Sequence, residues 1–462
     1  MTLDEVAGRP GAAAMVLGAG ASGVAACRVL RAHGWRVALA DEAPAEKTAA
    51  AAERLAALGV EVRGGVPPDG LPEGDFALCV ASPSISCDHP WVRQARARGM
   101  RVVGEQELAF AVWPGRILAV TGSKGKSSLV KLCAEALAGA GISAEPAGNY
   151  GTPLCELAMD RPDPAWAVDE VSSFQLELVE DFRPRVAVLL NLQPDHLDRH
   201  GTMDAYRGLK MRLFRCMGEG DTALLPEGFA VAPGEIPGGV RVWRFGTGAE
   251  AQWRYVEGRG GEGGRIDGVA TDGAPVRVAC GGSWFDNPVL GLAAAAGAGA
   301  LCACGLSAEG IAAGLRAFVP LPHRTQPVAE HEGVRYVDDS KATSLAATEA
   351  ALRMVAGPIR LIAGGRLKES VLDGLKELLT NRVKKVYLIG ESSGTIREAW
   401  SPFVECAECG TMGAAVDRAM REAAAGETVL LSPGCASFDQ FTSYKARGDA
   451  FAEEVRARLP QG

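Results

Sequence analysis

The sequence predicts an α/β protein of several domains. Three observations lead there: short apolar runs ending in glycine or turn residues, helical periodicity between most of them, and a length of 462 residues, roughly three times the usual domain size. The runs are AAMVLGAG, WRVALADE, FALCVASP, RILAVTG, RVAVLLNL, IRLIAGG, KKVYLIGE and TVLLSPG. They are apolar throughout rather than alternating, which suits parallel strands covered by helices on both faces. Pro114-Gly115 and Pro320-Leu321-Pro322 punctuate the pattern, the second just before a new strand signal in GVRYVDD. Three α/β units are therefore expected, at 1–113, 114–319 and 320–462. The stretch EGRGGEGGRIDGVATDG from Glu257 reads as a turn-rich hairpin inside the middle unit, with a flexible loop as the alternative.

Composition narrows the function classes. A net charge of −8 lacks the clustered cations that a nucleic-acid footprint needs, so no nucleic-acid partner is expected, although a local phosphate site is compatible. The 12 cysteines show neither CxxC pairs nor regular spacing, and MTLDEVAGRP lacks a basic-then-apolar leader pattern. Both point to reduced thiols in the cytoplasm. The Ala/Gly-rich stretch at 290–306 reads as a buried helix, not a membrane span, and a monomer is expected.

Chemistry concentrates in a few motifs. In VTGSKGKSSLVKLCAEAL, Gly122 and Gly125 follow a strand, and Lys126 and Ser127 open a helix whose Leu129, Leu132, Cys133, Ala136 and Leu137 share one face. Glycines let backbone N–H groups approach phosphates, the helix N-terminus favours negative charge, the Lys reaches terminal phosphates and a hydroxyl can bind Mg²⁺. An ordinary strand-to-helix turn is the competing reading. VLGAGASG holds Gly18, Gly20 and Gly23 in GxGxxG spacing, with Asp41 closing the next strand where an acid can meet a ribose hydroxyl. A dehydrogenase would use that loop, but hydride transfer has no use for the second phosphate loop.

Glu170 follows an apolar entry in DEVSSFQLE, and Asp195 and His196 follow the RVAVLLNL strand. Strand ends are where α/β sheets bind ligands, and a carboxylate with an imidazole suits a divalent ion. LPHRTQ, DDSKATS and LSPGCASFDQF gather Arg324, Asp339, Lys341, Lys368 and Ser437 in the third unit, where cations can neutralise phosphate or hold a carboxylate substrate; singly they read as surface ion pairs.

Together TGSKGKSS, GNYGTP, EVSSFQLE, DHLDRH, YRGLK, LPHR, DDSKAT and LSPGCASFDQF, in this order, resemble the Mur ligase family across essentially the whole chain. The resemblance implies Rossmann-like N- and C-terminal domains around a central P-loop ATPase-type domain, holding a UDP-sugar, an incoming amino acid and ATP respectively. It implies a ligase that phosphorylates the carboxylate of UDP-N-acetylmuramoyl-L-alanine and adds glutamate through an acyl phosphate. Family match assigns ATP contacts to Gly122, Ser123, Lys124, Gly125, Lys126, Ser127, Ser128, Asn287, Arg324 and Asp339, and UDP-substrate contacts to Gly18, Ala21, Ser22, Asp41 and Asn149. It assigns glutamate contacts to Thr343, Lys368, Ser437 and Tyr444. Mg²⁺ would be held by Ser127, Ser128 and Glu170 at one site and by His196 with a carbamylated Lys210 at another, making Lys126, Glu170, His196 and Lys210 the catalytic set. Ser84, Tyr150, Leu290, Leu367 and Ser344 depart from the family pattern, at positions that bear on fine contacts, the adenine site and amino-acid choice.

Overall fold

The computed structural model describes residues 11–161, 165–258, 262–368 and 372–460. The chain forms two compact units, Met1–Asp286 with Gly291–Phe318, and Asn287–Leu290 with Val319–Gly462. Among the described residues three sheets form, two in the first unit and one in the second. All eight quoted apolar runs lie on strands.

The first sheet contains β1 (Ala13–Leu17), β2 (Arg36–Ala40), β3 (Glu61–Arg63), β4 (Leu78–Ala81) and β5 (Arg101–Gly104) in the order β3-β2-β1-β4-β5. Every pairing is parallel, and β1 is buried along its whole length. The chain leaves β1 at Gly18, at φ +93°, and enters the helix Ala21–Ala32. Gly23 in that helix packs on the Gly18 carbonyl so closely that an added Cβ would lie 1.8 Å from its oxygen. A side chain there must push helix and strand apart. Gly23→Ala is accordingly expected to destabilise the first unit by about 3 kcal/mol, the upper range for overpacking, read as a lowered midpoint in denaturant unfolding.

The second sheet contains β6 (Arg116–Thr121), β7 (Ala144–Gly148), β8 (Trp166–Glu170), β9 (Val186–Leu189), β10 (Thr222–Pro226), β11 (Arg241–Gly246), β12 (Trp253–Val256), β13 (Arg265–Val269) and β14 (Pro275–Ala279). Their order is β14-β13-β12-β11-β10-β9-β6-β8-β7. Parallel pairing prevails up to β12, after which β12–β13 and β13–β14 are antiparallel. The stretch from Glu257 is thus a strand-turn-strand region whose tight turn lies at 270–274, where Ala270 N donates to Ala274 O at 2.8 Å; residues 259–261 of that stretch lie outside the described residues. The Ala/Gly-rich segment forms the helix Leu290–Ala303, most of it buried. One buried apolar cluster runs from Val16 and Leu39 of the first sheet to Ala119, Ala187 and Leu225 of the second, which explains why the two sheets share one compact unit.

The second unit is built on β15 (Gln326–His331), β16 (Val334–Asp338), β17 (Ile359–Gly364), β18 (Val383–Ile389), β19 (Glu405–Gly410) and β20 (Thr428–Leu431), ordered β15-β16-β20-β17-β18-β19. Only β15 runs antiparallel to its neighbour. In all three sheets most of the sequence motifs follow the carboxyl ends of parallel strands, the edge where open α/β sheets bind ligands, whereas LPHRTQ precedes the antiparallel β15 and YRGLK lies on a helix.

Candidate phosphate and carboxylate sites

The phosphate loop leaves β6 at Thr121 and enters the helix Lys126–Gly139. Gly125 caps that helix in the left-handed region, at φ +81°, a conformation that a side chain would strain. The loop is braced by Asn191, whose Oδ1 accepts from Ser123 N at 3.0 Å and Lys124 N at 2.9 Å and whose Nδ2 donates to Lys124 O at 2.9 Å. Ser123 Oγ donates to Gln193 O at 2.8 Å and lies 3.2 Å from Tyr206 Oη. Ser127 and Ser128 occupy the first turn of the helix, beside the N–H groups that attract anions. Lys126 Nζ donates to Ser123 O at 3.1 Å, and Lys124 Nζ pairs with Asp195 at 3.3 Å. Asn191, Gln193 and Tyr206 were not among the sequence candidates; Asn191 and Gln193 sit immediately after β9 in NLQPDH, so the strand-end position was the available signal.

Glu170 ends β8, paired in register with Val120 of β6 and Gly148 of β7. Asn149 reads it twice, donating from N to Glu170 O at 2.9 Å and from Nδ2 to Oε1 at 2.7 Å. The second oxygen, Oε2, is buried with no hydrogen-bond partner. Burying a carboxylate oxygen unsatisfied is costly, and a bound cation removes the penalty. Lys210, on the helix Met203–Met211, is also buried, its Nζ donating to Gly122 O at 2.9 Å and Thr121 Oγ1 at 3.3 Å and lying 4.6 Å from the Tyr206 ring. Burial, and next the nearby Lys126 charge, push this amine down to about 7. Among the described residues no carboxylate hydrogen-bonds to Lys210. His196 is half exposed, takes φ +54°, and packs its ring 4.8 Å from Phe174. A non-glycine residue held in that region marks a position where local strain is retained.

The residues present fit a divalent cation at the Glu170 end of the site, through an orphaned carboxylate oxygen and serine hydroxyls at a helix start, the oxygen donors that a hard cation takes. Among the described residues no three His, Cys, Asp or Glu side chains form a ready-made metal cluster.

Asp41 directly follows β2 and reaches across to the loop after β1: its Oδ2 accepts from Ala19 N at 2.6 Å and its Oδ1 from Ala43 N at 2.7 Å. Asp41 therefore organises the glycine loop, whose next residues, Ala21 and Ser22, form the first turn of the helix Ala21–Ala32. Gly18 lies against Ser82, whose Oγ donates to Gly18 O at 3.3 Å.

In the second unit Asp339 is buried, its Oδ1 accepting from Thr325 N at 3.1 Å and its Oδ2 from Ser432 Oγ at 2.8 Å. Burial pushes its carboxyl up to about 7 against those hydrogen bonds and the Arg324 charge. Arg324 lies between His323 at φ +61° and Thr325 at φ +42°, both left-handed. Tyr444 starts the helix Tyr444–Arg458 and its Oη accepts from Lys341 Nζ at 3.1 Å. Arg366 and Ala436 bond to each other through both backbone groups, so Lys368 and Ser437 lie on adjoining segments; Lys368 is exposed and Ser437 buried. Gly434 N donates to Ala342 O at 3.0 Å, which draws Thr343 toward the same loop. Arg447, absent from the sequence candidates, fixes this arrangement by donating to Ser340 Oγ, Ser340 O and Cys435 O. Asn287 Oδ1 accepts from Val289 N and Leu290 N at 3.2 and 2.9 Å, capping the start of the following helix.

Comparison with known proteins agrees with this geometry. Three family models match consecutive parts of the chain: a Mur ligase MurD-like N-terminal domain over 12–104, a Mur ligase middle domain over 120–270, and a Mur ligase glutamate ligase domain over 323–435. A UDP-N-acetylmuramoylalanine--D-glutamate ligase of Nitratidesulfovibrio vulgaris is 38% identical over 455 residues, 97% of each chain. One of the same name from Pelotomaculum thermopropionicum is 39% identical over 455 residues, 96% of each chain. The crystal structure of the MurF ligase of Thermotoga maritima in complex with ADP shares the fold at a TM-score of 0.58 and 18% identity, covering 85% of this chain and 98% of that one. With full-length relatives at this identity, and with the glycine loops, Glu170 and the third-unit motifs at their strand ends, the chain belongs to the Mur ligase family.

Proposed function

We propose that this chain joins D-glutamate to UDP-N-acetylmuramoyl-L-alanine at the expense of ATP, a step of peptidoglycan precursor synthesis. The observation that supports it best within the fold is the pairing of a phosphate loop with Glu170, whose Oε2 is buried and unpartnered beside it. A carboxylate is a poor electrophile, and transfer of a phosphoryl group to its oxygen creates a leaving group. The amine of glutamate then forms the amide and displaces phosphate, leaving ADP from the first transfer. Both reactants of that first transfer are anionic, so charge neutralisation is the main catalytic demand. Lys126 and the loop N–H groups hold the phosphates, and Asn149 orients Glu170 and reaches the acyl group. Glu170 with Ser127 and Ser128, and His196 with Lys210 as its carbamate, would hold Mg²⁺, which would supply charge screening there.

In this reading 1–113 binds the UDP-sugar through Gly18, Ala21, Ser22 and Asp41, 114–319 binds ATP, and 320–462 binds glutamate and offers Arg324 and Asp339 to the nucleotide. The protein acts as a cytoplasmic monomer without nucleic-acid or membrane partners; among the described residues no helix is long and apolar enough to cross a membrane. Asn287, whose Oδ1 accepts from Val289 N and Leu290 N, belongs to the adenine site in this reading.

Phosphate release with ATP, UDP-N-acetylmuramoyl-L-alanine and a panel of amino acids tests the proposal. D-glutamate should be used in preference to D-aspartate, whose shorter chain cannot span the same two contacts. Turnover with L-glutamate alone would reverse the stereochemical assignment, and turnover with neither enantiomer would refute it. Lys368→Ala should raise the KM for glutamate about 10- to 100-fold, the worth of one charge-assisted contact, and leave that for ATP within about twofold.

A further inference from the structure

We propose that Gln106 is a positioning residue for Glu170, clamping the end of β8 from both sides through hydrogen bonds to Asp169 and Gln175. Gln106 lies in the helix Glu105–Val112, which follows directly on β5 of the first sheet. It is 1% exposed, so both ends of its amide need partners inside the protein. Its Nε2 donates to Asp169 Oδ2, and its Oε1 accepts from Gln175 Nε2 at 3.2 Å. Gln175 in turn holds Ser172, its Oε1 accepting from Ser172 N and Ser172 Oγ, both at 2.8 Å.

One side chain therefore fixes the residue just before Glu170 and, through Gln175, the residue two positions after it. Asp169 packs so closely on Gly148 of β7 that a Cβ at position 148 would lie 2.2 Å from its Oδ1. Among the described residues the Glu170 side chain is hydrogen-bonded by Asn149 alone, and its Oε2 is buried without a partner. Orientation of that oxygen thus depends on how firmly 169–172 is held, and the hold comes from a helix of the sugar-binding region. The clamp is a candidate route by which the first sheet's edge is felt at the phosphoryl site. This inference rests on reading Glu170 as a cation ligand.

Mn²⁺ binding in the presence of ADP, followed by electron paramagnetic resonance, tests it without turnover. Gln106→Leu should weaken Mn²⁺ binding about tenfold or more, the usual effect of losing a group that orients a metal ligand. Gln106→Glu alone should do the same, since it removes the amide donor from the buried Asp169 Oδ2 and adds a carboxyl group beside Asp169, Glu105 and Glu170. Combining Gln106→Glu with Asp169→Asn should restore affinity to within about threefold. The new carboxylate accepts from the carboxamide at position 169 and from Gln175 Nε2, so both hydrogen bonds survive with one donor reversed. A packing role alone predicts no such recovery, and its absence would overturn the proposal even if Gln106→Leu failed to fold. Full affinity in a folded Gln106→Leu protein would also overturn it. Glu170→Gln is the control: if that variant binds Mn²⁺ normally, the reading of Glu170 fails and the clamp falls with it, whereas loss in Glu170→Gln with none in Gln106→Leu refutes the clamp alone.

Discussion

Lys126→Ala should lower the rate of phosphate release by about 10³-fold or more while the protein stays folded. A single preorganised donor aimed at developing charge is worth about 10²–10³-fold, and a cation that also neutralises a terminal phosphate belongs at the top of that range or beyond it. Stability should change little. The Lys126 ammonium donates to the carbonyl of Ser123 in its own loop, a bond of about 1 kcal/mol net, and contributes nothing to an apolar core. Stopped-flow or coupled phosphate release, together with thermal unfolding, checks both halves. A folded Lys126→Ala protein with near-normal turnover would remove the phosphate loop from the mechanism.

Lys210→Ala should be comparably severe, and its loss should be partly reversible. On the proposed reading Lys210 stands beside a divalent cation, which a bare ammonium would repel, so it would serve the site only after its charge is inverted. Carbamylation consumes the neutral amine, and burial with the nearby Lys126 charge pushes Lys210 down to about 7, so a substantial neutral fraction exists at neutral pH. The sign is that of a base whose folded-state value is lowered: protonation below about pH 7 removes the reactive form, and the neutral form accumulates above it. Reactivation of decarbamylated enzyme by bicarbonate should therefore grow as pH rises through 7. In Lys210→Ala, formate or acetate should recover about tenfold or more of an initial loss on the order of 10³-fold, by occupying the vacated space with a carboxylate. If Lys210 only braces the loop through Gly122 O and Thr121 Oγ1, the alanine variant would still lose rate, but short acids would have no effect.

The sequence alone determined the fold class, because fully apolar strand runs have few alternatives to a helix-covered parallel sheet. It also placed the phosphate loop, since Gly122, Gly125 and Lys126 act through backbone conformation and sequence-local geometry that spacing encodes. Family motifs put Glu170, His196 and Lys210 in one frame. Tertiary structure decided what those motifs rest on. Asn191 lies more than 60 residues from the loop it braces, and no local pattern announces a side chain that accepts from two distant N–H groups. Asp41 suited a ribose contact in the one-dimensional reading, and the fold shows its two oxygens also holding the glycine loop. Asn287, expected at the adenine from the family motif, is in the fold the residue that accepts from the backbone at the start of a helix. Arg447 and Gln106 carry no motif at all. They matter because burial makes every polar atom seek a partner, and the identity of that partner is fixed only when strands far apart in sequence come into register.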